Sequence, residues 1–216
     1  MAYNAPVFTL ALAAASANNI ALSQSLGGAR NLTLNGVLVT GGVAITDVAR
    51  RIGITSAGND SGITWTITGT DRYGRTQSES LAGANATVAQ SVKDYATITQ
   101  ISGSGATAAA VTSGTTSTGS TAPYIVDSFI NPAGIVAALE VSGTVTTGLE
   151  GSFTDLTPNW DLANNSPVWY PVAGFSGLTN NTQNTITGPF TMLRQTNTSG
   201  TGTATTRLVV PFIAGA

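Results

Sequence analysis

The sequence contains no histidine and no cysteine, and its only lysine is Lys93. Each absence removes a class of chemistry. Without imidazole there is no side chain that ordinarily titrates near neutrality and no histidine metal ligand. Without thiols there is no cysteine nucleophile, disulfide framework, iron–sulfur cluster or zinc ribbon. Charge is scarce as well: Asp, Glu, Lys and Arg make up 8% of the 216 residues, against roughly 25% in an average soluble domain. A net charge of −2 argues against a nucleic-acid binder, which needs a basic face. Long apolar runs are missing too. The longest, Ala5 to Ala17, is interrupted by Thr9 and Ser16 and falls short of the roughly 20 apolar residues that span a bilayer. No basic residue precedes it, the first being Arg30, so it reads as an arm or a first strand and not as a signal peptide.

What the chain has instead is 35 Thr and 25 Gly, with many Ser, Ala and Asn. These residues are laid out as strands and turns. Leu32 and Leu34 alternate with polar residues up to Asn35-Gly36, a dipeptide that suits a type I′ hairpin turn, with Val37 to Thr40 as the return strand. In GVAITDVARRIGITS, Val48, Arg50, Ile52 and Ile54 share one face. AGNDSG (57–62) and TDRYG (70–74) are turns by composition. Between them ITWTITG puts Ile63, Trp65 and Ile67 on one face and threonines on the other, the period of a half-buried strand. RTQSESL reads as a polar edge strand, and Tyr95 to Ser102 as another Thr/Ile strand. Strands and turns at this close spacing predict an antiparallel sandwich or barrel.

The stretch SGTTSTGST offers no large apolar side chain to bury and reads as a linker, placed at 113–122. Beyond it, GIVAALEV and TVTTGLEGSF around Ser142-Gly143 predict a hairpin. A Pro/Asn-rich excursion carrying Trp160, Trp169, Tyr170 and Phe175 follows, then a final hairpin through TSGTGTATTRLVV. The fold expected is therefore all-β: two antiparallel β-sandwich or jelly-roll-like domains, 31–112 and 123–216, joined by the linker and preceded by an extended N-terminal arm, 1–30.

The run RRIGITSAGNDSGITWTITGTDRYGRTQSESLAGANA resembles a group of virion structural proteins of tailed bacteriophages. VSGTVTTGLEGSFTD, VWYPVAGFSGLT and the C-terminal strand ending in LVV are similar to the second part of the same group. The chain departs from that group after the linker, where an aromatic-rich start is reduced to APYIVDSF. The resemblance implies a particle component assembled in the host cytoplasm. It would be a capsid decoration (cement) protein, or else a neck, tail or head-fibre component touching the host surface. The partners implied are the major capsid protein or other virion proteins. A homo-oligomer is expected from the low charge and from strand edges that a neighbour can complete; a trimer is implied by the resemblance alone.

Candidate residues are few. Val7, Phe8, Leu10 and Leu12 in the arm, too short to build its own core, are expected to dock on a neighbour. Arg50-Arg51, the only adjacent basic pair, reads either as a surface pair or as a salt bridge to a capsid carboxylate. Trp160, Trp169, Tyr170 and Phe175 would form an exposed aromatic loop. Asp60 and Asp71 read as turn residues, because no Asp-x-Asp-x-Asp-Gly run marks a calcium loop. Glu150, Asp155 and Asp161 are the densest acidic group, but glycoside hydrolysis needs two carboxyls across a sugar cleft, and they read as loop polar groups. No catalytic residue, metal ligand, cofactor, nucleic-acid or membrane partner is expected.

Overall fold

The computed structural model describes residues 6–126, 134–154 and 167–209. In chain order the strands are β1 (Val7–Ala11), β2 (Ser16–Gln24), β3 (Arg30–Asn31), β4 (Val39–Thr40), β5 (Val43–Ser56), β6 (Thr64–Thr70), β7 (Thr76–Ala82), β8 (Val88–Gln90) and β9 (Tyr95–Gly103). They continue as β10 (Val111–Ser120), β11 (Tyr124–Ile125), β12 (Ile135–Ser142), β13 (Val145–Ser152), β14 (Tyr170–Pro171), β15 (Thr182–Ile186), β16 (Met192–Gly200) and β17 (Thr203–Val209). The described residues contain no helix, and the sheets are antiparallel, as the sequence periodicity requires. The chain divides into two compact units: residues 13–119 form one, and residues up to Leu12 join those from Ser120 onward in the other.

In the unit of residues 13–119 the ladder runs β10-β5-β9-β6-β7, with β2 on β10, β3 on β9, and β4 and β8 on β5. β5 is long enough to serve two neighbourhoods. Ala44 pairs with Val39 and Ile98, whereas Ile54 pairs with Ala89 and Ser113. A register shift lies between Ile45 and Arg50. ITWTITG behaves as its period demands. Trp65 and Ile67 are buried with Ile20, Ile52, Tyr95, Ile98 and Ile101, each large apolar side chain contributing about 1.5–3 kcal/mol. On the other face Thr66 and Thr68 share hydroxyl bonds with Ser80 and Ser78, at 3.1 and 3.3 Å.

Two sheet edges of this unit are closed by side chains. Along β7, Lys93 Nζ donates to Ser78 O at 2.9 Å, Gln77 Nε2 donates to Asp94 O at 2.6 Å, and Glu79 Oε2 accepts the N–H groups of Val92 and Lys93. Along β2, the Gln24 amide occupies both backbone groups of Thr33, each at 2.9 Å. Closure of this kind prevents pairing with another chain.

Four expectations are corrected here. The hairpin turn falls at Gly41-Gly42, both at positive φ (60° and 81°), between β4 and β5. Asn35-Gly36 instead packs on β2: Asn35 Oδ1 accepts from Leu22 N–H, and a Cβ on Gly36 would lie 2.2 Å from the Asn19 carbonyl carbon. The supposed linker is strand β10, in which Ser113 Oγ donates to Gly53 O and Asn19 Oδ1 accepts from Thr115 N–H. Hydroxyls and glycine bury there in place of apolar side chains. From residue 6 onward the supposed arm 1–30 is not extended away from the fold: residues 7–11 and 16–24 are strands of the two units.

In the other unit, a sheet of order β1-β17-β12-β15 and a ladder β14-β13-β16, with β11 on β16, enclose a core of Leu139, Leu149, Val172, Phe175, Ile186, Leu193 and Leu208. The two expected hairpins are the fourth correction. β12 pairs with β17 and β13 with β16, so the turns at 142–145 and 200–203 carry the chain from one sheet to the other. The register runs unbroken through that corner: Ser142 pairs with Thr203 and Val145 with Gly200. The corners lie against each other, with Thr201 and Gly202 N–H both donating to Thr144 O. Gly200 has φ 84°, and any Cβ there would fall 2.2 Å from Thr144 O.

Candidate functional site

The exposed aromatic surface of the second unit is assembled on the β14–β13–β16 ladder. Tyr170 stands opposite Gly151, and Arg194 opposite Glu150. Because Gly151 has no side chain, the Phe190 ring lies against its backbone; a Cβ there would meet that ring at 2.3 Å, and one on Gly188 would meet it at 2.5 Å. Phe153 packs on this seated ring at 4.8 Å between centroids and on Tyr170 at 5.6 Å. Phe153 and Tyr170 remain 51% and 47% exposed, with Val168 exposed beside them.

Glu150 and Gly151 are neighbours on a strand, so their side-chain positions fall on opposite faces. On the Glu150 face, Arg194 Nε and Nη2 meet Glu150 Oε2 at 2.8 and 2.6 Å. The guanidinium lies over the Trp169 ring, 4.2 Å from its centroid, a contact that contributes about 0.5–1 kcal/mol at a partly exposed site. Trp169 is half-buried. The two faces thus differ: exposed rings without charge on one, and a ring beside a neutralised ion pair on the other.

The sequence-derived candidates distribute differently from expectation. Tyr170 belongs to the Gly151 face with Phe153 and Phe190, and Trp169 to the opposite face with Arg194, whereas Phe175 is fully buried in the core, its carbonyl accepting from Leu149 N–H at 2.8 Å. Trp160, Asp155 and Asp161 lie outside the described residues. Leu10 and Leu12 are buried, Phe8 is half-buried against Tyr124 at 5.8 Å, and only Val7 of that group is exposed. Leu10 and Leu12 thus serve their own fold.

Arg50 is also withdrawn as a surface or inter-subunit group. It is 1% exposed, donates from Nε to Thr116 O at 2.9 Å and from Nη2 to the same oxygen, and pairs with Asp47 at 3.0 Å. Burial by itself pushes the Asp47 carboxyl up, but the Ala13 N–H and the Arg50 guanidinium outweigh it and hold the pKa below the ordinary value. Arg51 points to the other face, half-buried, where its charge favours the ionised form of Glu79. Burial nevertheless dominates at Glu79 and raises its pKa, against the Val92 and Lys93 N–H bonds and the charges of Lys93 and Arg51.

Phe153 and Phe190 escaped the sequence reading as members of the aromatic face, and Arg194 as the partner of Glu150. The signal available was Gly151, a glycine inside a strand pattern two residues before Phe153. Asp71 performs the turn role expected of it, accepting from the Tyr73 and Arg75 N–H groups. Among the described residues, no three His, Cys, Asp or Glu side chains gather as metal ligands. No helix long and apolar enough to cross a membrane occurs among the described residues. No protein-family model matches this chain, and no curated protein matches it in sequence.

Proposed function

We propose that the chain is a virion structural protein of a tailed bacteriophage, a capsid decoration (cement) protein that binds the head surface between capsomers as a homo-oligomer. The observation that carries this reading is the half-exposed Phe153 and Tyr170 pair, held in place by the glycine-seated Phe190. Rigid aromatic anchors dominate protein–protein contacts because they bury much area with little loss of side-chain freedom. The phage resemblance supplies the particle. Charge placement agrees: Arg50, Arg72, Arg75, Arg194 and Arg207 all pair with carboxylates of their own chain. That leaves a hydroxyl- and amide-rich surface suited to packing. In this mechanism the aromatic surface, and not residues 1–30, makes the capsid contact.

A second reading is a neck, tail or head-fibre component that touches host glycans. Trp169 beside the Arg194–Glu150 pair favours it, since a ring face next to fixed polar groups suits a sugar. Quantitative mass spectrometry of the particle separates the two: cement requires on the order of hundreds of copies, a single-vertex component about six to twelve, as symmetric assembly dictates. For cement, Phe153→Ala with Tyr170→Ala weakens binding to purified heads by about tenfold or more. Unchanged head binding by that variant overturns the aromatic contact.

A further inference from the structure

β1 ends its sheet, and among the described residues its outer edge carries no closure of the kind found on β7 and β2. At the other end of the same sheet, on β15, Asn184 Oδ1 occupies the backbone N–H of Thr185 at 2.8 Å. β1 reads VFTLA, with no charge and no proline within the strand. Nor does the strand contain a register shift. Exposed, uncharged and regular edges are those on which a further strand adds.

The hydrogen-bond phase of β1 follows from one bond. Leu208 N–H donates to Pro6 O at 3.0 Å, while Val7 stands opposite Arg207. In an antiparallel ladder this makes Val7–Arg207 a non-hydrogen-bonded pair, so Phe8 and Leu10 bond to Thr206 and Ala204. Val7, Thr9 and Ala11 therefore direct their backbone N–H and C=O groups away from β17. Their side chains are exposed, whereas Leu10 points into the core.

We propose that this edge pairs with β1 of a second copy, antiparallel about a two-fold axis at Thr9. The strand is complementary to itself in that arrangement. Thr9 faces Thr9 of the second copy, Val7 faces Ala11, and Phe8 faces Leu10, with no like charges opposed. The four-stranded sheet becomes eight-stranded, and six outward backbone groups on each strand gain partners or a place in the new ladder. A two-fold dimer replaces the trimer that the phage resemblance implies. The inference stands on the edge alone and is independent of the particle role.

The test uses the full chain, which contains no cysteine. Sedimentation velocity is expected to give twice the 21.7 kDa chain mass. Thr9→Cys is expected to form a disulfide-linked dimer under mild oxidation, because a two-fold axis sets that position opposite itself at a Cα separation of about 5.5 Å. Thr182→Cys, on β15 at the opposite edge of the sheet, is expected not to cross-link. Thr9→Pro removes only an outward donor and Thr9→Lys opposes two like charges; both are expected to sediment as monomers with unchanged circular dichroism. A monomeric or trimeric wild type, or a dimer that Thr9→Lys leaves intact and Thr9→Cys fails to cross-link, overturns the proposal.

Discussion

Gln195 on β16 reaches across the second unit to β17: its Oε1 accepts the Thr206 hydroxyl at 2.9 Å and its Nε2 donates to Ala204 O at 2.8 Å. Both side chains are fully buried. Two positions along the strand, Asn197 Nδ2 donates to Leu10 O at 3.2 Å, so a polar seam crosses the apolar core. Removing one member strands the other. Gln195→Leu is expected to cost about 1–3 kcal/mol for the unpaired groups left behind. Adding Thr206→Val recovers part of that loss, giving a coupling energy measurable by urea unfolding of the two single variants and the double variant.

Asp47 makes stability depend on pH with one sign. Its folded pKa lies below the ordinary carboxylate value, so its contribution is present above the unfolded pKa and is lost as pH falls through the folded one. Asp47→Ala leaves Arg50 buried without its carboxylate. The expected cost is about 1–3 kcal/mol at neutral pH, below the usual figure for a fully buried pair because Asp47 is 32% exposed. Thermal melts across the acidic range check both statements: the variant's deficit shrinks as pH falls.

Glu79 has the opposite sign. Burial raises its folded pKa, and one carboxylate oxygen, Oε1, is buried without a partner. Its contribution is fully present below the unfolded pKa and is lost as pH rises through the folded value. Glu79→Gln is therefore expected to gain on wild type in melting temperature between mildly acid and neutral pH. A difference that stays flat over that window contradicts the assignment.

Gly36 and Gly41 test two different uses of glycine. Gly41 has φ 60° with open space around it, so Gly41→Ala is expected to cost about 1 kcal/mol from backbone strain. At Gly36 the obstacle is the Asn19 backbone, which cannot move as a side chain would. Gly36→Ala is expected to cost at least about 2–3 kcal/mol, read from denaturant midpoints.

Legibility tracked the physical origin of burial. ITWTITG was readable because Trp65 and Ile67 bury through apolar area, which alternation reports directly. SGTTSTGST was not, because β10 packs through absent side chains: a Cβ on Gly114 would lie 1.8 Å from Ser16 O. Arg50 shared a face with Ile52 and Ile54 in the sequence, and that alternation placed it inside although its charge suggested the surface. The pairing of β12 with β17 had no local signal, since Ser142-Gly143 is equally good chemistry for a hairpin and for a corner between sheets. Tyr170 was readable as an exposed aromatic, but its partners Phe153 and Phe190 come from distant segments that only the ladder brings together.

The unbroken register through the Ser142–Val145 and Gly200–Thr203 corners makes segments 135–152 and 192–209 a single ribbon folded double. Its two legs are thus the two layers of the unit. A residue inserted in one corner with nothing to absorb it would slip a leg and turn its inward side chains outward. The ladder already absorbs one such mismatch beside the corner, where Thr146 pairs with Ser199 but Thr147 with Asn197. Length changes at this corner are consequently tolerable in matched pairs, one in each connection, or singly where a bulge takes up the extra residue.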